Sequence, residues 1–134
     1  MIDIKSLRIG CHVEYNGKRA MVYDISSEMN TPNHLIMLYQ NNRFAAVPLA
    51  ELSPITITPE LLRELWFVNT SSSRRITYTK GSEYDGLWIE VRNLKDRWDV
   101  FVSNRDWDGR TVVRYLHELE SFIYLTTQTE LIQD

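Results

Sequence analysis

Apolar residues in this chain recur mostly at every second position, in short runs. Leu7-Arg8-Ile9-Gly10 leads into Cys11–Tyr15, where Cys11, Val13 and Tyr15 share one face and His12 and Glu14 the other. Asn16-Gly17 follows, two residues that tolerate the positive φ of a tight hairpin turn, and Lys18–Ser27 runs back. Ser26–Asn33 is rich in turn residues. His34–Tyr39 is apolar on both faces, which predicts a central strand. Gln40-Asn41-Asn42 turns into Arg43–Leu49, and Pro48 puts the end of that strand at a sheet edge. Ala50–Ile55 predicts a short turn and a last strand. The expected architecture for this half is an SH3-like small β-barrel.

The period then changes. Thr58-Pro59-Glu60 predicts a helix start: Thr58 caps, Pro59 suits the first helical position, and Glu60 favours the positive end of the dipole. That helix runs to about Phe67, with Leu61, Leu62, Leu65 and Trp66 as its buried stripe, and closes the barrel. Asn69–Arg75 is a polar loop and the candidate internal boundary. Ile76–Lys80, Leu87–Asn93 and Trp98–Ser103 read as three strands. Leu87, Ile89 and Val91 alternate with Trp88, Glu90 and Arg92, and Trp98, Val100 and Val102 with Asp99 and Phe101. Asp106–Thr111 leads into a last helix, where Val112, Tyr115, Leu116, Leu119, Phe122 and Ile123 recur at helical spacing. Glu118 and Glu120 fall on or near its exposed side. The expected fold is α+β: residues 1–67 as the SH3-like barrel with its closing helix, and residues 68–134 as an antiparallel three-stranded segment packed by the C-terminal helix. The pattern leaves open whether the two share one core.

Charge changes this picture little. Of 134 residues, 43% are hydrophobic and 25% charged, which is ordinary for a globular domain, and the formal net charge is −3. Residues 1–67 carry net −1, residues 68–114 net +2 and residues 115–134 net −4. No global basic field draws the chain to nucleic acid or anionic membrane. The single Cys11 excludes an internal disulfide or a zinc site of several cysteines, and its strand position predicts a small buried hydrophobe. Neither a secretory signal nor an apolar stretch of about 20 residues occurs, so a cytoplasmic location and no membrane are expected.

Three stretches carry a resemblance. They are Leu7-Arg8-Ile9-Gly10 with Asn16-Gly17; Leu52-Ser53-Pro54-Ile55 with Thr58-Pro59-Glu60-Leu61-Leu62; and Tyr115-Leu116-His117-Glu118-Leu119 running on to Thr127-Gln128-Thr129-Glu130-Leu131. Together they resemble a group of small uncharacterised proteins of gut Bacteroidetes and of their phages and mobile elements. The chain departs from that group at Glu118, where a glutamine is usual, and at Gln128, where a helix-ending glycine is usual. Trp66 stands where a glycine usually precedes Phe67. The resemblance spans about half the chain, implies a shared fold and a phage or mobile-element setting, and supplies no catalytic residues.

Candidate chemistry is sparse. Asn104–Gly109 matches the first half of a calcium loop, but the twelfth position is Tyr115 instead of a bidentate Glu. His12, His34 and His117 share no ligand spacing, and no nucleophile elbow or glycine-rich phosphate loop occurs. The Asp96/Asp99 and Asp106/Asp108 carboxylates fit pairing in space and acidic turns equally well. Trp88, Trp98, Trp107, Tyr78 and Tyr84 interleave with Arg74, Arg75, Arg92, Arg97, Arg105 and Arg110, a composition used both for single-stranded nucleic acid and for protein hot spots. The expected activity is therefore a non-enzymatic binding or adaptor module without cofactor. A protein partner would be held by Arg74, Arg75, Trp88, Arg92 and Trp107. The alternatives are nucleic-acid binding through the same segment, or an enzyme built around His117 with Glu118 or the Asp106/Asp108 pair. Self-association is left open.

Overall fold

The computed structural model describes residues 2–26, 34–73, 75–82, 86–104 and 108–132, and the chain divides into two compact units. Met1–Thr56 with Tyr115–Ser121 make the first; Ile57–Arg114 with Phe122–Asp134 make the second. Residues 57–67, expected with the first half, thus belong to the second unit.

The first unit is an antiparallel meander of four strands: β1 (His12–Tyr15), β2 (Lys18–Ile25), β3 (Leu35–Gln40) and β4 (Arg43–Pro48), in the order β1-β2-β3-β4. Both hairpins turn on two residues with positive φ, Asn16 and Gly17 in one and Asn41 and Asn42 in the other. One face is the core: Val13, Ala20, Val22, Ile36, Leu38 and Val47 are buried against Ile2, Leu7, Cys11, Leu49 and Leu52. A register shift between Val22 and Asp24 sets Tyr23 and Asp24 against the single Met37, a bulge that turns Ile25 back onto the core face opposite Ile36. After β4 a 3-10 turn at Leu49–Glu51 brings Ser53 beside β1, where it exchanges both backbone hydrogen bonds with Glu14 at 2.8 and 2.9 Å. The expected closed barrel does not form. The expected last strand is one bridged residue: the next outward donor of β1, the His12 N–H, goes to the Glu120 carboxylate instead of a return strand, and the sheet stays open at β4.

Helix α2 (Leu116–Thr127) starts in this unit. The Tyr115 N–H donates to Glu118 Oε1 at 3.1 Å, the reach-back of a capping box, a task Glu and Gln perform alike. Glu120 is fully buried, not exposed as its place in the sequence suggested. It accepts from the His12 backbone N–H at 2.7 Å and from His12 Nδ1 at 2.8 Å. Helical spacing gave its side of the helix, but the covering partner is 108 residues away in sequence.

The second unit opens with α1 (Pro59–Glu64), capped as expected by Thr58, whose hydroxyl oxygen accepts from the Leu61 N–H. Five antiparallel strands follow in chain order, not three: β5 (Val68–Asn69), β6 (Thr77–Ser82), β7 (Leu87–Asn93), β8 (Trp98–Ser103) and β9 (Asp108–Val113). Of the expected polar loop, Asn69 belongs to β5, and Thr70 and Ser71 are drawn in by hydrogen bonds to Thr77. β9 stands where a lead-in to the last helix was expected. Thr111-Val112-Val113 is β-branched throughout, and pairing with β8 exploits that stiffness while a helix would not. One sheet face is buried through Tyr78, Ile89, Val91, Trp98, Val100, Val102 and Val113, as the alternation of β7 and β8 required. The Trp98 indole N–H donates to the Ile57 carbonyl at 3.2 Å. Among the described residues no helix is long and apolar enough to cross a membrane.

Candidate partner-binding face

The C-terminus of α1 is closed by a doubly hydrogen-bonded turn. The Trp66 N–H donates to the Arg63 carbonyl at 3.1 Å and the Phe67 N–H to the Leu62 carbonyl at 3.0 Å, the Schellman pattern, with Leu62 and Phe67 both buried. Lys80 fastens it. Its ammonium donates to the Leu65 carbonyl at 2.8 Å and stands 5.8 Å from the Phe67 ring centroid, and burial draws its pKa below the ordinary lysine value. This turn needs a residue in the left-handed region, a place for glycine. The residue there is Trp66, at φ +69°. Its side chain is 82% exposed, whereas the helical stripe predicted it buried. A turn residue points where the turn sends it, so the spacing that buries Leu62 and Leu65 does not extend to position 66.

Trp66 precedes β5, the edge strand of the second sheet. The outer face of that sheet is built by register. Val68, Thr79, Glu90, Phe101 and Arg110 form one row across all five strands; Thr77, Arg92, Asp99 and Val112 form the next; Gly81, Trp88, Ser103 and Asp108 the third. Val68, Trp88 and Val112 are large apolar groups left exposed on it. Trp88 lies across its neighbour strand: a Cβ on Gly81 would sit 2.6 Å from Trp88 Cε3, so only glycine lets the indole lie flat there.

The cations of this face are matched. Arg92 pairs with Glu90 at 3.7 Å and Arg110 with Asp99 at 3.7 Å, and Arg110 also stands 5.7 Å from the Phe101 centroid. The face therefore offers aromatic and aliphatic surface between neutralised charges. Of the residues singled out in the sequence, the fold brings Trp88 and Arg92 together here. Arg75 is exposed ahead of β6, with its carbonyl accepting from the Ser72 N–H. Arg74 and Trp107, like Tyr84, Arg105 and Asp106, lie outside the described residues. Trp66 was the missed candidate. Its signal was the absent glycine before Phe67, and Gln128, the other such position, also has positive φ, at +59°.

Among the described residues the other constellations do not assemble into reactive sites. His117 is buried, and burial holds its pKa below the ordinary histidine value although Glu118 pulls the other way. Its Nε2 meets Ser6 Oγ at 3.0 Å. The Ser6 hydroxyl donates to the Asp3 carbonyl at 2.6 Å, so the ring N–H must donate to Ser6, the reverse of what a general base for that serine requires. Asp96 pairs with Arg97 and Arg114, and Asp99 with Arg110, so these carboxylates serve separate ion pairs. Asp108 starts β9, and among the described residues no three His, Cys, Asp or Glu side chains gather around a common point. Cys11 is fully buried, and desolvation pushes its thiol up to about 11, against thiolate chemistry. In the first unit a cleft of about 420 Å³ opens beside the Asn41 turn, where Gln40 Nε2 is already engaged by the Tyr15 and Lys18 carbonyls. Compared with known proteins, the chain matches no family model, no curated protein and no solved structure.

Proposed function

We propose that this protein is a non-enzymatic binding module whose partner is another protein, docked on the second unit with Trp66 and Trp88 as apolar anchors. The observation that carries the reading is Trp66. A large ring held in a strained conformation and 82% exposed adds little to folding, so its use lies outside the chain. The paired arginines of the adjoining face favour an apolar, weakly charged protein segment over a phosphate backbone, which needs unmatched cations. A cytoplasmic site of action, and the phage or mobile-element setting that the resemblance implies, belong to the same proposal. For the first unit, the order Ser53 bridge, β1, β2, β3, β4 supports reading it as an SH3-like barrel left open on the β4 side.

The test is affinity capture from nuclease-treated host extract with the wild type and Trp66→Gly side by side. A protein recovered by the wild type and lost with the variant supports the proposal. Recovery that disappears with nuclease, or binding that falls steeply with added salt, makes the ligand a nucleic acid and overturns it.

A further inference from the structure

The two edges of the first sheet are treated differently. The Tyr15/Lys18 and Gln40/Arg43 pairs close two-residue turns, so each is hydrogen-bonded, and the bonding alternates from there. On β1 the backbone groups pointing away from β2 are therefore those of His12 and Glu14. Both are taken: Glu14 N–H and C=O by Ser53, and His12 N–H by the Glu120 carboxyl group. On β4 the outward groups are those of Phe44 and Ala46. Among the described residues neither N–H has a partner, and both residues are exposed.

This open edge has little to repel another strand. Arg43 and Pro48 mark its ends, and no charge lies between them. The Phe44 ring leans inward over β3, 4.8 Å from the Tyr23 centroid and 5.0 Å from that of Tyr39, which leaves the backbone clear. Ala45 and Ala46 add only methyl groups.

We propose that β4 pairs antiparallel with β4 of a second copy of this chain, about a two-fold axis at Ala45, to make one continuous eight-stranded sheet. The register matches the edge to itself. Phe44 faces Ala46 of the second copy and the reverse, so each pair exchanges both of its N–H···O bonds and sets a large side chain beside a small one. Arg43 then faces Val47, and the two Arg43 positions stand ~13 Å apart along the strand, beyond a Debye length of ~8 Å in physiological salt. So short a strand contact buries less than the ~800 Å² per partner of a standard interface, and the expected dissociation constant lies between ~10 μM and ~1 mM.

Sedimentation across that range, together with amide exchange of the wild type, tests the proposal. The mass should double with concentration. Protection of the Phe44 and Ala46 amides should rise with it, while Ala45 and Val47, bonded to β3, stay protected throughout. Ala46→Pro removes an outward donor and no ladder bond. It should abolish the doubling while leaving protection at Ala45 and Val47 intact. A chain that stays monomeric to ~2 mM overturns the proposal, as does a dimer in which Phe44 and Ala46 exchange freely. If Ala46→Pro loses the Ala45 and Val47 protection, the wild-type exchange pattern decides alone.

Discussion

Replacing Trp66 by glycine separates what the ring does for the fold from what it does for a partner. Relief of the left-handed conformation stabilises the variant by about 1–2 kcal/mol. Glycine's greater freedom in the unfolded chain offsets roughly 0.5–1 kcal/mol of that. Less than a fifth of the indole is covered, about 40 Å² of a large aromatic side chain, which at about 25 cal/mol per Å² costs ~1 kcal/mol. The sum lies within about 1 kcal/mol of zero, whereas truncating a buried tryptophan such as Trp98 costs about 3–5 kcal/mol. Trp66→Ala loses the same ring but keeps the strain, so it should be less stable than Trp66→Gly by about 1 kcal/mol. Urea unfolding followed by far-UV circular dichroism measures all three chains without relying on tryptophan emission. A loss above about 2 kcal/mol in Trp66→Gly would mean that the ring is packed on the fold, and the reasoning would fail. Partner capture equal to the wild type would refute the anchor role even with stability unchanged.

Three further outcomes are expected. As pH falls below about 6.5, the unfolded chain protonates His117 before the folded one, so stability holds above that pH and declines below it by up to about 1.4 kcal/mol per unit; His117→Gln keeps an N–H for Ser6 and should remove this component, and an identical slope in the variant would sink the assignment. Glu120→Ala leaves the buried His12 N–H and ring without their carboxyl partner and should cost about 3–5 kcal/mol in urea unfolding, with Glu120→Gln losing less; a cost under about 1 kcal/mol would contradict the buried pairing. Gly81→Ala drives a methyl group to 2.6 Å from Trp88 Cε3 and 2.8 Å from the Leu87 carbonyl, so it should destabilise by about 1–3 kcal/mol and shift tryptophan emission; an unchanged spectrum and midpoint would show that the indole lies elsewhere.

Local signals decided much of this protein. Asn16-Gly17 and Asn41-Asn42 specify hairpin turns because Asn and Gly tolerate the positive φ that such turns require. Thr58-Pro59 starts a helix for reasons contained in two residues. The alternation of Ile89 and Val91, and of Trp98, Val100 and Val102, fixes which side of each strand is buried. Tertiary structure decided the rest. Periodicity names an apolar or polar face but not what will cover it. Glu120 is buried because His12 receives it, and Trp66 is exposed because a turn, not a helix, carries it. Helical spacing through Val112 and Tyr115 concealed β9, since only pairing with β8 separates the two periods. The first sheet stays open because the Glu120 carboxylate, 108 residues away in sequence, takes the His12 N–H that a return strand past Ser53 would need, and pairing distant in sequence, not local propensity, decides whether a sheet closes.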